Sequence, residues 1–342
     1  MRILITGANG FVGSHVSTHL SGLGMTCVAL DLPNVEPHGC YAERYTWDEL
    51  NTLDPRSFDG VIHLAGKAHD TRNTSHAESY FRINVGLTRT ICTFFFHEQE
   101  QRAKKFIFFS SVKACADTVQ GILTEEQVPD PKTPYGQSKL EAEKEVLTFE
   151  RAHMLTCATP DMPCADPGKG GADFRTLERQ NFRTYILRPA MIHGAGNKGN
   201  LNLLYQIAKL GFPWPLGSFT NQRSFASISN VAAVVEALLT RNVAGGIYNV
   251  ADDAALSTNE LIALMAEVRG KKPQIWRIPE KLIRCGARVG DHLHLPLNSE
   301  RLKKLTESYV VSNAKLKKAL GWAQFPMAAQ DGLKITLRSF QS

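Results

Sequence analysis

No stretch of the 342 residues approaches the roughly 18 consecutive apolar residues of a membrane-spanning helix, so no membrane partner is expected. Met1 to Thr6 reads straight into a strand, without an apolar segment and small-residue cleavage site, so no signal peptide is expected either. The seven cysteines are scattered and none is paired at metal-ligand spacing. That predicts reduced thiols, a cytoplasmic setting and no metal. Cys157 and Cys164 lie close together in a loop-like segment and offer a candidate disulfide. There is no internal repeat. No basic stretch is interleaved with aromatics, which argues against a nucleic-acid partner.

What is present is ordinary for a globular protein: 43% apolar and 21% charged residues. The length suits two domains of about 100–200 residues each. The net charge of +6 is uneven: residues 269–342 carry 15 Lys+Arg against 5 Asp+Glu, and the rest is net −4. A basic C-terminal region suits a phosphate-bearing ligand. Lys303, Lys304, Lys315, Lys317 and Lys318 read as a solvated helix face.

Short apolar runs alternate with helical patterns through the first 250 residues. Strands are predicted at Arg2–Thr6, Thr26–Asp31, Gly60–Ala65, Lys105–Ser110, Thr184–Arg188 and Gly246–Val250. Most are continuous in Ile, Val, Leu or Phe, as strands covered on both faces are. Helices are predicted over Gly13–Leu20, Ser79–Glu98 and Ser138–His153. The alternation predicts an α/β, doubly wound parallel (Rossmann) sheet, over 1–188 plus about 222–250. A smaller mixed α/β substrate domain is expected over 189–221 plus 251–342. There Ser257-Thr-Asn-Glu260 forms a capping box, and Gly270 stops the helix it starts. Residues 156–173, rich in Pro, Gly and Asp, read as an inserted loop.

The segment Thr6-Gly7-Ala8-Asn9-Gly10-Phe11-Val12-Gly13 leaves a strand and opens a helix. Its glycines allow a tight turn and a close approach to a pyrophosphate, and the helix N-terminus offers N–H donors. The second strand ends in Asp31, placed to accept hydrogen bonds from ribose hydroxyls and to repel a 2′-phosphate. Leu32 follows, where an NADP site often carries Arg, so NAD is favoured over NADP.

Tyr135-Gly-Gln-Ser-Lys139 sets a phenol and an ammonium four residues apart, on one helix face. A free phenol, with a pKa near 10, is a poor base at neutral pH. The Lys139 ammonium is expected to lower that pKa and to reach the nicotinamide ribose. Ser111, closing a strand 24 residues earlier, offers a hydroxyl to the oxygen that exchanges a proton.

With TGANGFVG, Asp31, VIHLAG, Asn84, SSVKA, YGQSK, LRPAMIHG and IYNV, the chain resembles the extended short-chain dehydrogenase/reductases over nearly its whole length. That family includes UDP-galactose 4-epimerase, nucleotide-sugar dehydratases and 4-ketosugar reductases. The resemblance implies a catalytic triad of Ser111, Tyr135 and Lys139, with Ser110 and Asn84 supporting the cofactor site. It implies that Leu64, Ala65, Gly66 and Lys67 line the cofactor and that Pro189 and Ala190 lie beside the nicotinamide. It further implies that Asn200, Leu201 and Arg223 meet a nucleotide diphosphate, where a guanidinium pairs in bidentate fashion. A structural ion pair is the competing role for Arg223. The resemblance also implies a homodimer, formed through the helices Ser79–Glu98 and Ser138–His153.

Departures bear on the substrate. Cys115-Ala116 replaces the usual Tyr-Gly, Met191 replaces an Asn, and a second diphosphate arginine has only Arg288 and Arg301 as candidates. A 4,6-dehydratase carries Asp-Glu after its catalytic hydroxyl residue; Val112-Lys113 here sets dehydration aside. The leading expectation is an NAD-dependent epimerase acting at C4 of a UDP-hexose or related sugar. The alternatives are an NAD(P)H-dependent UDP-4-ketosugar reductase and a non-catalytic NAD-binding sensor or scaffold.

Overall fold

The computed structural model describes residues 1–33, 38–67, 76–96, 104–156, 182–197, 199–293 and 298–341. The insertion read at 156–173, with Cys157 and Cys164, lies outside them except for the backbone of residue 156. In chain order the elements begin β1 (Arg2–Thr6), α1 (Phe11–Gly22), β2 (Thr26–Asp31), β3 (Glu43–Thr46), β4 (Gly60–His63) and α2 (Ala77–Phe96). Next come β5 (Lys104–Phe109), β6 (Ile122–Leu123), α3 (Pro134–Thr156), β7 (Phe182–Pro189), β8 (Met191–His193) and α4 (Asn200–Lys209). Then follow β9 (Phe225–Ser227), α5 (Ile228–Thr240), β10 (Gly246–Val250), α6 (Thr258–Val268) and α7 (Glu280–Leu293). The series ends with α8 (Ser299–Thr306), β11 (Val310–Val311), α9 (Ala314–Leu320) and α10 (Ala329–Ser339).

The chain divides into two compact units. The first comprises 1–117, 126–189 and 232–248; the second comprises 118–125, 190–231 and 249–342.

In the first unit a seven-stranded sheet runs β10-β7-β5-β4-β1-β2-β3, and the pairings from β7 through to β3 are parallel. The fold is thus the expected α/β Rossmann type. Strands β1, β2, β4 and β5 bury nearly every side chain, so their apolar runs are unbroken. One sheet face packs Leu4, Val61, Phe106 and Phe108 against Ile91 and Phe95 of α2 and Ala142 and Val146 of α3. Each such buried Phe contributes about 1.5–3 kcal/mol by leaving water. Strand β3 was not anticipated. Its sequence, Glu-Arg-Tyr-Thr, is only partly buried, as a charged edge strand can be. Arg2 ties it to β1 through Glu43 at 2.6 Å.

The order of strands fixes where a site can form. The chain winds from β1 outward to β2 and β3, then crosses to β4 on the other side of β1. Loops leaving the C-terminal ends of β1 and β4 therefore diverge and open a crevice.

The second unit holds two small parallel pairs, β8 with β9 and β6 with β11, among helices. Its core includes Leu201, Tyr205, Trp214, Phe225, Leu261, Met265, Leu333 and Leu337. The anticipated capping box forms: Ser257 Oγ accepts from Glu260 N–H at 3.1 Å, and Glu260 Oε2 accepts from Ser257 N–H at 2.6 Å. Gly270 adopts φ 67°, the left-handed conformation that ends such a helix.

Candidate active site

The glycine loop follows β1. Gly7 has φ +65°, and a Cβ there would lie 2.7 Å from the Ala65 nitrogen. A Cβ on Gly13 would come within 2.5 Å of the Ala8 carbonyl oxygen. These two glycines press the loop onto the turn after β4 and onto α1. Gly10 is the N-cap of α1 and brings no side-chain cap, so the N–H groups of the first turn, Phe11, Val12 and Gly13, meet no capping side chain. Asp31 ends β2 beside the loop, accepting from Asn9 N–H at 2.7 Å and Leu32 N–H at 2.8 Å. Tyr41, which sequence reasoning passed over, fastens the loop from below. Its hydroxyl lies 2.6 Å from the Ala8 carbonyl and 2.9 Å from the Gly13 carbonyl. A bare helix N-terminus with a carboxylate at the neighbouring strand end fits a dinucleotide: pyrophosphate on the first, adenosine ribose on the second.

The turn Leu64-Ala65-Gly66 leaves β4 and is held by a chain of buried hydrogen bonds. Ala65 N–H donates to Thr6 Oγ1 at 3.1 Å, and that hydroxyl lies 2.7 Å from His63 Nδ1. His63 Nε2 lies 3.0 Å from Thr88 Oγ1, whose hydroxyl donates to the Asn84 carbonyl at 2.6 Å. With that hydroxyl committed, Nε2 must carry the imidazole proton and Nδ1 must accept. Burial pushes the His63 pKa down to about 3, which keeps the ring neutral. Asn84 then grips both neighbours. Its Oδ1 accepts from Lys67 N–H at 2.6 Å, and its Nδ2 donates to Ser138 Oγ at 2.9 Å. Ser138 in turn donates to the Tyr135 carbonyl at 2.8 Å. A polar residue ending an otherwise apolar strand was the available signal for His63.

Ser110 and Ser111 leave β5, and the Ser111 hydroxyl accepts from Lys113 N–H at 3.2 Å. Thr133 Oγ1 caps the start of α3 by accepting from Gly136 N–H at 3.2 Å, and Asp117 holds the approach by accepting from Lys132 N–H at 2.6 Å and Thr133 N–H at 3.0 Å. Tyr135 and Lys139 then share one face of α3. The Tyr135 and Ser111 side chains are hydrogen-bonded, and Tyr80 lies edge-on to Tyr135 at 6.1 Å between ring centroids. Lys139 Nζ donates to the Phe109 carbonyl at 2.9 Å. A Cβ on Gly66 would sit 3.2 Å from that nitrogen and 2.8 Å from Asn84 Oδ1, so only glycine suits this crossing. The structure thus gathers Gly66, Asn84, Ser111, Tyr135 and Lys139 through short contacts. Pro189 closes β7 in the same unit.

One expectation needs correction. Lys139 was expected to lower the Tyr135 pKa. In this geometry burial raises it and Ser111 opposes the rise, while one N–H of the Lys139 ammonium donates to the Phe109 carbonyl. Burial also pulls Lys139 itself down to about 8, against the carboxylate of Glu143. The unfolded chain therefore holds the lysine proton more tightly. The resulting cost, about 3 kcal/mol, is fully present below pH 8 and fades as pH rises toward 10.5. Lys139→Met is expected to raise Tm by about 3 °C at pH 7, after allowance for the unbonded Phe109 carbonyl. Calorimetry at pH 7 and pH 10 checks this: the gain should shrink at the higher pH.

Glu143, one turn beyond Lys139, was also missed, although the spacing 135, 139, 143 marks one face. Buried Glu143 binds Arg188 at 2.9 and 2.6 Å and accepts from Ser110 Oγ at 2.5 Å. This ties α3 to β7 and to the end of β5.

In the second unit, Leu201 is buried in the core, which leaves only its backbone for a ligand. Asn200 opens α4. The Arg223 guanidinium donates to the Glu307 carbonyl at 3.0 Å and to the Lys304 carbonyl. Those two bonds go to carbonyls and not to a carboxylate. Arg288 lines an open cleft of about 410 Å³ with Arg284 and Lys303, whereas Arg301 lies exposed on α8. Among the described residues no His/Cys/Asp/Glu cluster suits a metal, and no helix is long and apolar enough to cross a membrane.

UDP-glucose 4-epimerase of Vibrio cholerae is 26% identical over 349 residues, covering 99% of this chain and 95% of that protein. The N-acetyl-alpha-D-glucosaminyl-diphospho-ditrans,octacis-undecaprenol 4-epimerase of Escherichia coli O157:H7 is 28% identical, covering 95% and 87%. The structure of UDP-N-acetylglucosamine 4-epimerase from Bacillus cereus superposes with a TM-score of 0.70 at 18% identity, covering all of both chains, and so shares the fold. The model of the NAD dependent epimerase/dehydratase family matches residues 3–251, and the chain is a member of that family of NAD-dependent enzymes.

Proposed function

We propose that the protein is a nucleotide-sugar 4-epimerase that inverts C4 of a UDP-hexose or a related sugar. The observation that carries the reading is the hydrogen bond between the Ser111 and Tyr135 side chains, with Lys139 Nζ one turn away against Gly66. NAD held by these residues would supply the acceptor and donor of the C4 hydride, and its cationic ring would favour the ionised form of the Tyr135 phenol. Tyr135 takes the proton from the C4 hydroxyl oxygen and later gives it back, while Ser111 holds that oxygen by a hydrogen bond. Lys139 binds ribose hydroxyls and Asp31 the adenosine ribose. Gly7, Asn9, Gly10, Phe11, Val12 and Gly13 cradle the pyrophosphate, flanked by Leu64, Ala65, Gly66, Asn84, Ser110 and Pro189. The Asn200 and Leu201 backbone and Arg223 receive the UDP diphosphate. Helices α2 and α3 supply the face for a homodimer.

Incubating the purified protein with UDP-glucose, UDP-galactose and their N-acetylated counterparts, without added cofactor, tests the proposal. The expected result is C4 inversion with no net change in nicotinamide absorbance. Oxidation of NADH or NADPH on a 4-keto sugar, without inversion, would replace this reading with the reductase.

A further inference from the structure

The absence of a spanning run says nothing of contact with a membrane surface, which needs none. The second unit carries apolar surface that its own core leaves uncovered. On α4 the core takes Leu201 and Tyr205, whereas Leu203, Ile207 and Leu210 recur at helical spacing on another face and stay 63%, 48% and 69% exposed. Gly211 then turns the chain at φ +80°, and Phe212 follows, 78% exposed. Residues 269–277 run alongside. The Arg269 guanidinium donates to the Ala208 and Lys209 carbonyls at 2.8 and 3.1 Å, and Trp276 N–H donates to the Trp214 carbonyl at 2.8 Å. Ile275 packs on the core, but Trp276 is 57% exposed.

The charge on these two segments is of one sign. Residues 199–217 and 268–279 contain no Asp or Glu, yet carry Lys209, Arg269, Lys271, Lys272 and Arg277. All but Arg269 are exposed. We propose that this face docks on an anionic lipid bilayer, with Phe212 and Trp276 entering the headgroup layer and the cations facing lipid phosphates. Aromatic side chains settle at such an interface, and nearby lysines add an attraction that salt screens. A second copy applied by a two-fold axis would set five cations against five. A nucleic acid would meet the cations but leave the aliphatic stripe in water.

The test is co-sedimentation of the whole chain with vesicles of phosphatidylglycerol and phosphatidylcholine, or of phosphatidylcholine alone. Binding is expected only to the anionic vesicles and should weaken about tenfold between low and physiological salt. Lys271→Glu with Lys272→Glu, and separately Phe212→Ser with Trp276→Ser, should each weaken it about tenfold or more while leaving Tm and circular dichroism unchanged. The readout is independent of the sugar chemistry proposed above. No binding at low salt overturns the inference. So does loss in the lysine variant alone, which marks charge adsorption of the kind any polyanion gives. Sedimentation equilibrium showing a wild-type dimer that Phe212→Ser with Trp276→Ser dissociates would assign the face to a second copy instead.

Discussion

Tyr135→Phe is expected to lower kcat by about 10³-fold, within the range that a positioned acid–base group supplies. The substitution removes one oxygen and keeps the ring, so the edge contact with Tyr80 persists and the fold is preserved. NAD content and KM should change little, because Lys139, Asn84 and the glycine loop are untouched. Ser111→Ala should cost less, since Tyr135 retains its proton-transfer role. Steady-state C4 inversion, with quantification of co-purified nicotinamide, checks both. An unchanged rate for Tyr135→Phe would dismiss the enzymatic reading and favour a protein that only binds NAD.

The second large effect concerns stability. Glu143→Leu would leave the Arg188 guanidinium buried without its carboxylate and remove the acceptor of Ser110 Oγ. Breaking one half of such a pair costs about 3–5 kcal/mol, and a fall in Tm of about 10 °C is expected. Joining Glu143→Leu to Arg188→Met should recover much of that loss, because the guanidinium no longer lies buried without its carboxylate, although the Lys139 ammonium still loses the Glu143 charge. Calorimetry of the two single variants and the double variant closes the cycle. If the double variant is as unstable as Glu143→Leu, the pair matters for its hydrogen bonds and not for its charge balance.

The sequence was most informative where burial is complete. Strands β1, β2, β4 and β5 are built on apolar runs because both faces are covered, β7 keeps a shorter one at Tyr185–Leu187, and the ends of all five were read to within two residues. Strand β3 escaped because an edge strand with Glu43 and Arg44 has neither an apolar run nor alternation. Strands β6, β8, β9 and β11 have two or three residues each, too few for any period to show. At the site, spacing disclosed Tyr135 and Lys139, and Glu143 stood at the next turn unread. The direction of the Tyr135 shift was not legible. It is set first by burial of the phenol, which residue spacing does not report, while Lys139 Nζ is held by the carbonyl of Phe109, the last residue of β5.

The hydrogen-bonded series from Ala65 to Asn84 has one further consequence. Every donor in it has a single acceptor, and its imidazole refuses a second proton until strongly acidic pH. It cannot relay protons from α3 into the sheet. It acts as an insulated strut: through Asn84 and Ser138 a shift of the turn after β4 reaches the Tyr135 carbonyl, while no proton can leave along it.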